Sequence, residues 1–206
     1  MLRLFCLTLL VLLAGCVHTP SLTPPPNLQA HQAQIENHPH WQITGKLGVR
    51  STGDSGSASL KWQQSPASFF IYLSGPFGQK RMEIEGTPKQ VELRQHGQPP
   101  LQAKSAEALI KKASGWTLPV SQLNYWVRGI PAPAVRITRL EQNDQGLISL
   151  LQQAGWTLSY SNYRDQPLNG KTLTLPGKII AEYRDIRLTL IIREWTLEPG
   201  QLGSAP

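Results

Sequence analysis

Cysteine is nearly absent: the 206 residues hold two, Cys6 and Cys16, both near the amino-terminus. A pair so placed cannot staple a domain, so the fold must rest on its own core. Long apolar runs are missing as well, because the stretch from Leu4 to Leu13 falls well short of the ~20 residues that cross a bilayer as a helix. The five histidines, His18, His31, His38, His40 and His96, are scattered without metal-ligand spacing, and no P-loop, dinucleotide fingerprint or paired CxxC occurs. Carboxylates such as Glu83 and Glu85 alternate with apolar residues, as charges on the outer face of a strand do, rather than forming an acid/base pair. The motif GDSG at 53 to 56 has the look of a serine nucleophile loop, but Ser57 follows it and no histidine or aspartate stands in a supporting context. A hairpin turn accounts for all of it, so catalysis is not expected. The formal charge of +7 is spread without a basic stripe, which argues against nucleic acid and for a solubilising bias, with attraction to anionic lipid or an acidic partner as the alternative.

What the amino-terminus does have is an address. Arg3, the short apolar run and Leu13-Ala14-Gly15-Cys16 read as a signal peptide over 1–15 ending in a sequence that resembles the bacterial lipobox. Cys6 leaves with the leader, and Cys16 becomes the first residue of a mature chain of 191 (206 minus 15), carrying a covalent lipid. Each buried methylene of an acyl chain contributes about 0.8 kcal/mol, so several chains on one terminus hold a protein almost permanently. Val17 stands where an aspartate would retain a lipoprotein in the inner membrane, which places this one on the periplasmic face of the outer membrane. Residues 16–27 are proline-rich and unpatterned, a tether that spans roughly 30 Å.

Beyond the tether a single domain is expected over 28–206. A weak helix over 27–37 opens it, with Leu28, Gln32 and Ile35 on one side and an asparagine at its start. The period then changes to two. Ile43, Leu47 and Val49, then Leu60 and Trp62, then Phe69, Ile71 and Leu73, then Met82 and Ile84 alternate with polar partners, a meander of antiparallel strands apolar on one face. Two helices interrupt it. One runs from Ser105 to Gly115 with Ala106, Leu109, Ile110 and Ala113 on one face, and one from Pro119 to Arg128 with Val120, Leu123, Trp126 and Val127 inward. Strands resume at 135–140, 156–161, 171–175, 179–183 and 187–195, with Asn169-Gly170 as a hairpin turn of the I′ kind. LISLLQQ at 147–153 satisfies either period. The composition is mainly β (α+β), one curled antiparallel sheet with helices against one face, and periodicity leaves open whether the inside is filled or hollow.

Two features stand out on this frame. SGPFG at 74–78 has Gly75, Pro76 and Gly78 for a tight turn between strands, yet Phe77 at its apex, where turns are normally polar. Trp62, Trp126, Trp156 and Trp195 each fall in a patterned element, where they either pack a core or line an apolar pocket.

The order of WQITGKLGVR (41–50), LKWQQ (60–64), LSGPFG (73–78), YWVRGIPAP (125–133), GWTLSYSNY (155–163) and REWTL (193–197) resembles the LolB family of outer-membrane lipoproteins. Trp116 and the Phe77 apex, where leucine is familiar, depart from the family pattern. The resemblance implies an unclosed antiparallel β-barrel with helices covering an apolar cavity, and it assigns 147–153 to a strand. It implies a receptor that accepts lipoproteins from the periplasmic carrier LolA and inserts them into outer-membrane phospholipid, working as a monomer. No cofactor is expected beyond the lipid on Cys16 and the transient acyl chains of cargo. Gly75, Pro76, Phe77 and Gly78 become a membrane-insertion loop. Leu47, Val49, Trp62, Leu73, Trp126, Trp156, Leu158 and Leu190 become candidate cavity residues, with Trp126 and Arg128 fixing the lid helices to the rim. An outer-membrane scaffold without a lipid cavity, or a hydrolase acting on envelope material through Ser55, are the competing readings.

Overall fold

The computed structural model describes residues 26–198 except 79, 80, 88, 115–117 and 169. Cys16, Val17, the lipobox, Gly115, Trp116 and Asn169 therefore lie outside the described residues. Helix α1 (Pro26–Glu36) precedes a run of six strands: β1 (Trp41–Ser51), β2 (Asp54–Gln64), β3 (Phe69–Ser74), β4 (Met82–Gly86), β5 (Val91–Gln95) and β6 (Leu101–Ala103). Helices α2 (Ala106–Ser114) and α3 (Val120–Trp126) follow, then β7 (Ile137–Gln142), β8 (Ile148–Gln153), β9 (Trp156–Ser161), β10 (Arg164–Leu168), β11 (Lys171–Leu175), β12 (Lys178–Tyr183) and β13 (Ile186–Leu197).

Eleven strands form one antiparallel sheet in the order β6-β5-β4-β3-β2-β1-β13-β12-β9-β8-β7, while β10 and β11 pair apart from it. The edge strands β6 and β7 are not bonded to each other, so the barrel stays unclosed. One row of partners, Ile43↔Trp62, Trp62↔Ile71, Ile71↔Ile84 and Ile84↔Leu93, runs across five strands on the inner face. The next row, Gln42↔Gln63, Gln63↔Phe70 and Phe70↔Glu85, takes the outer one. This is the alternation read from sequence, carried sideways by register.

The seam of the sheet is the pairing of the first strand with the last. It is interrupted once: Thr44 faces Glu194 but Gly45 faces Ile192, a bulge that bends β13. At the bulge the backbones close in, and a Cβ on Gly45 would lie 2.1 Å from the Ile191 carbonyl oxygen. Only glycine fits there.

The local signals read from sequence act as expected in several places. The Ser105 hydroxyl accepts the Ala108 amide at 3.1 Å and caps α2. The segment at 148–153 is a strand, and Gly170 has φ 75 in the β10–β11 turn. Others differ. Helix α1 starts at Pro26, inside the stretch assigned to the tether, and Asn27 accepts the Leu28 amide from within the helix rather than capping it. Ala113 is exposed, because α2 buries only Ala106 and Leu109 fully and continues along the sheet edge. Strand β10 was not foreseen: RDQPL has no apolar alternation because its hairpin stands outside the main sheet, where Pro167 is tolerated.

Gly45→Ala is expected to lower stability by roughly 2–3 kcal/mol, since the added methyl has a backbone carbonyl in its way. Gly48→Ala, whose Cβ would meet nothing nearer than 3.8 Å, should change it by less than about 0.5 kcal/mol. Urea unfolding of the two variants checks this, and equal midpoints would refute the role of the bulge.

Candidate functional site

The sheet curls around an apolar hollow of about 170 Å³. Its floor comes from both halves of the chain. Leu47, Val49, Leu60, Trp62, Ile71, Leu73 and Ile84 come from the first meander, and Leu158, Ile179, Ala181, Leu188 and Leu190 from the second. Its cover is helical: Ala106 and Ile110 of α2, Leu118, then Val120, Leu123, Trp126 and Val127 in and after α3. Every lining residue is apolar. The two indoles in the wall turn their N–H groups out of it, Trp62 Nε1 donating to Gln64 Oε1 at 3.2 Å and Trp126 Nε1 to Gln153 Oε1 at 2.8 Å.

Of the eight cavity candidates named from sequence, the structure brings seven to this hollow: Leu47, Val49, Trp62, Leu73, Trp126, Leu158 and Leu190. Trp156 is a correction. It shares the inner face of β9 with Leu158 but sits at the strand end, buried between Tyr183, stacked at 5.3 Å, and Trp126 at 6.4 Å. Parity assigned its face and not its depth. Trp195 is likewise core, in a trio with Trp41 and Trp62 whose ring centroids lie 5.7 and 5.1 Å from Trp41. Phe69, missed among the cavity candidates, lines the hollow and lies over Gly86, its cross-strand partner, in the place a Cβ would take.

The cover is held firmly at one end. Gln153, fully buried, accepts from Trp126 Nε1 and the Ala132 amide, both at 2.8 Å, and donates to the Ala132 and Val135 carbonyls. One side chain thus satisfies all its hydrogen-bonding capacity and fastens the end of α3 to β8. Arg128, also buried, donates to the Asn124 and Ile35 carbonyls at 2.9 and 3.3 Å and lies over the Tyr125 ring. Burial lowers its pKa, and the charges of Tyr125 and of Glu36, the last residue of α1, partly offset that loss. The other end is lighter. Glu107 of α2 accepts the Ser121 amide at 2.8 Å and hydroxyl at 2.6 Å, joining α2 to α3. Burial alone would raise the Glu107 pKa, but these bonds outweigh it and hold the carboxyl below its ordinary value.

SGPFG forms one 3₁₀ turn at Pro76–Gly78 between β3 and β4, closed by the Gly78 amide donating to the Gly75 carbonyl at 3.2 Å, with Gly78 at φ 73. The Phe77 side chain lies outside the described residues. GDSG is the β1–β2 hairpin: Gly53, φ 82, is in the turn, and Ser55 is exposed on β2 opposite Arg50.

A family model described as outer membrane lipoprotein LolB matches residues 39–195. The chain belongs to the LolB family. An outer-membrane lipoprotein LolB from Cellvibrio japonicus is 62% identical over 96% of this chain and 98% of its own, and one from Stutzerimonas stutzeri is 40% identical over 95% and 94%. Among solved structures, a LolA superfamily protein from Nitrosomonas europaea matches with a TM-score of 0.51 at 10% identity, covering 83% of this chain and 93% of that one. An outer membrane lipoprotein-sorting protein domain from Vibrio parahaemolyticus matches at 0.52 and 8%, covering 85% and 92%. At such identities the likeness is of fold: mainly β, an unclosed antiparallel sheet with helices.

Trp62→Glu would place a carboxylate against an apolar wall, and it should weaken binding of a fluorescent apolar probe at least about tenfold. Trp156→Phe, away from the lining, should leave that affinity within about twofold. Fluorescence titration decides, and the opposite ranking would restore Trp156 to the wall.

Proposed function

We propose that this protein is a lipid-anchored receptor on the periplasmic face of the outer membrane, which accepts lipoproteins from a LolA-type carrier, shelters their acyl chains in the hollow and releases them into outer-membrane phospholipid. Membership in the LolB family supports the pathway, and the wholly apolar lining supports the ligand. An unfilled hollow of about 170 Å³ costs a core about 4 kcal/mol at ~24 cal/mol per Å³. Selection for stability alone would fill it. A lipoprotein's acyl chains cannot cross water, so a carrier must offer them apolar surface, and no bond need be made or broken in the exchange. Direction comes from affinity, with the receiver binding more tightly than the carrier and the bilayer more tightly than either.

A hollow near this size holds a benzene-sized guest. An acyl chain is larger, so the cover must move. The fixed end of α3 at Trp126 and Arg128, and the lighter tie at Glu107, make Trp126 the pivot about which the start of α3 swings, while α2 stays packed on the sheet through Ala106 and Leu109. The anchor is Cys16, joined to α1 by the proline-rich tether, and the working unit is a monomer.

The Cys16→Ala chain, made with a cleavable signal in place of residues 1–15 and purified, should be soluble, folded and able to take radiolabelled lipoprotein from loaded LolA. Retention of the label on LolA would sink the receptor reading in favour of a scaffold, and an unfolded Cys16→Ala chain would contradict an anchor outside the core. Release is a separate step, served by the SGPFG turn. Burying Phe77 in the lipid interface regains roughly 2 kcal/mol, enough to dock a tethered domain briefly. Phe77→Leu should therefore function, whereas Phe77→Glu should accept lipoprotein and deliver it to liposomes more than about tenfold more slowly. Equal delivery by Phe77→Glu and the parent would make the residue a bystander.

A further inference from the structure

Charges that lie far apart in the sequence meet on the outer face of the sheet. Beside the inner row of Leu47, Leu190 and Ile179, register turns Lys46 of β1, Ile191 of β13 and Lys178 of β12 outward, each opposite the next. Two outward rows nearer the hairpin ends, Arg50 stands opposite Arg187, and Arg187 opposite Glu182. Between the bulge and the hairpin ends, these three strands carry four outward cations and one carboxylate. Glu182 is bonded to Arg187 at 2.5 Å, and Lys46, Arg50 and Lys178 enter no ion pair among the described residues. The outer face of β4 and β5 is the reverse: Glu83, Glu85 and Glu92 surround Arg94. The sheet is cationic at its seam and acidic toward one edge.

Two further observations point to what the cationic face meets. Ile191 is 45% exposed, the one large hydrophobic side chain so exposed among the described residues, and its neighbours on both flanking strands are lysines. Lysines so placed lay their alkyl stems along apolar surface and keep their ammonium groups in a polar layer. Between the cations the surface is low. Gly48, Ser57 and Thr189 floor a groove of about 720 Å³ whose wall includes Arg50 and Arg187. Packing does not demand the glycine, since a Cβ on it would meet nothing nearer than 3.8 Å. Glycine inside a strand weakens it and often marks a place approached closely from outside. The outward residues of these three strands include no aromatic anchor of the kind protein interfaces use, and a second copy would set cations against cations.

We propose that the outward face of β12, β13 and β1 is a docking surface for an anionic phospholipid bilayer, with Lys46, Arg50 and Lys178 on lipid phosphates and Ile191 in the interface. The inference goes beyond the proposed function and shares with it only the membrane as neighbour, since neither the hollow nor cargo enters it. The face adjoins the SGPFG turn. Lys46 lies opposite Ser59 of β2, and Ser59 opposite Ser74, from which β3 leads into the turn that packs beside β2. The outward residues of β2 along this stretch, Ser55, Ser57 and Ser59, are all small, so no bulky side chain of that strand separates the turn from the cations. A domain resting on this face has the turn at the margin of the contact.

The test uses the full Cys16→Ala chain, processed from the same cleavable signal, and its sedimentation with phosphatidylethanolamine vesicles that are about one-third phosphatidylglycerol, or with phosphatidylcholine vesicles. Each cation near an anionic surface contributes about fivefold in partition. The parent should bind the anionic vesicles at least about thirtyfold more tightly than the neutral ones at low salt and lose that excess as salt rises. Lys46→Gln with Arg50→Gln and Lys178→Gln should lower anionic binding at least about tenfold, with neutral binding and the urea midpoint unchanged. The same loss of charge elsewhere, Lys89→Gln with Lys111→Gln and Lys112→Gln, should stay within about threefold of the parent. Ile191→Ser should weaken binding about threefold at every salt concentration, because apolar insertion is not screened. A parent without preference for anionic vesicles would overturn the proposal, as would equal losses in the two triple variants or an Ile191→Ser chain that binds like the parent. Transfer from loaded LolA is read separately: transfer without anionic preference sinks this surface alone, and the expected vesicle pattern without transfer supports the surface while sinking the receptor reading.

Discussion

The structure depends on the pairing of β1 with β13. Each half of the chain is a meander that exposes one apolar face, and neither half alone has anything to bury it against. The seam makes one curled sheet of them, with contacts such as Thr44 to Glu194 separated by 150 residues. Such pairing brings its reward only after a long loop has closed, a cost in folding rate rather than in stability. Gly45 sets the geometry. By admitting the Ile191 carbonyl where a side chain would stand, it permits the bulge that turns the sheet inward.

Once the sheet curls, its inner face must be either filled or covered. Ile110, Leu123 and Trp126 reach toward the space from α2 and α3, but Ala106 and Val120 on the same helices are small, and a hollow is left between the cover and the strands. Buried hydrogen bonds do the holding that packing does elsewhere. Gln153 makes four bonds, one to Trp126 at the end of α3 and three to Ala132 and Val135 in the segment that follows, and Arg128 links the same region to α1 through the Ile35 carbonyl. A cover fastened by directional bonds at one end leaves the other end free of that constraint, whereas a cover fastened by packing all along its length would move only at the expense of the core.

These features differ in how far the sequence reveals them. Period-two alternation places most strands and nearly all of the inner face, because one buried face forces that pattern on every strand of the sheet. Ser105 and its following apolar positions mark α2. Parity fails where depth matters: Trp156 and Leu158 point the same way, but one meets Tyr183 at the barrel end and the other meets the hollow. Strand β10 escapes because the apolar residues of its hairpin's buried face, Leu173 and Leu175, come from β11, while Arg164 and Gln166 stand opposite them on β10. The hollow itself could not be read from the residues, since filled and empty interiors are lined by the same side chains; only the resemblance of six ordered segments implied it.

Strand β3 relates the two ends of the molecule. Phe69, at its start, pairs with Gln64 and Gly86, while Ser74, at its end, leads into the 3₁₀ turn of SGPFG. Five steps along the strand at about 3.3 Å each separate these places by roughly 16 Å. The hollow lies along the inner face between them, through Ile71 and Leu73. An apolar guest laid along that face would be aligned with the strand and would point toward the turn that carries Phe77. Orientation of this kind needs no chemistry on the guest, and it follows from a single strand whose alternate residues face inward and whose two ends meet different neighbours.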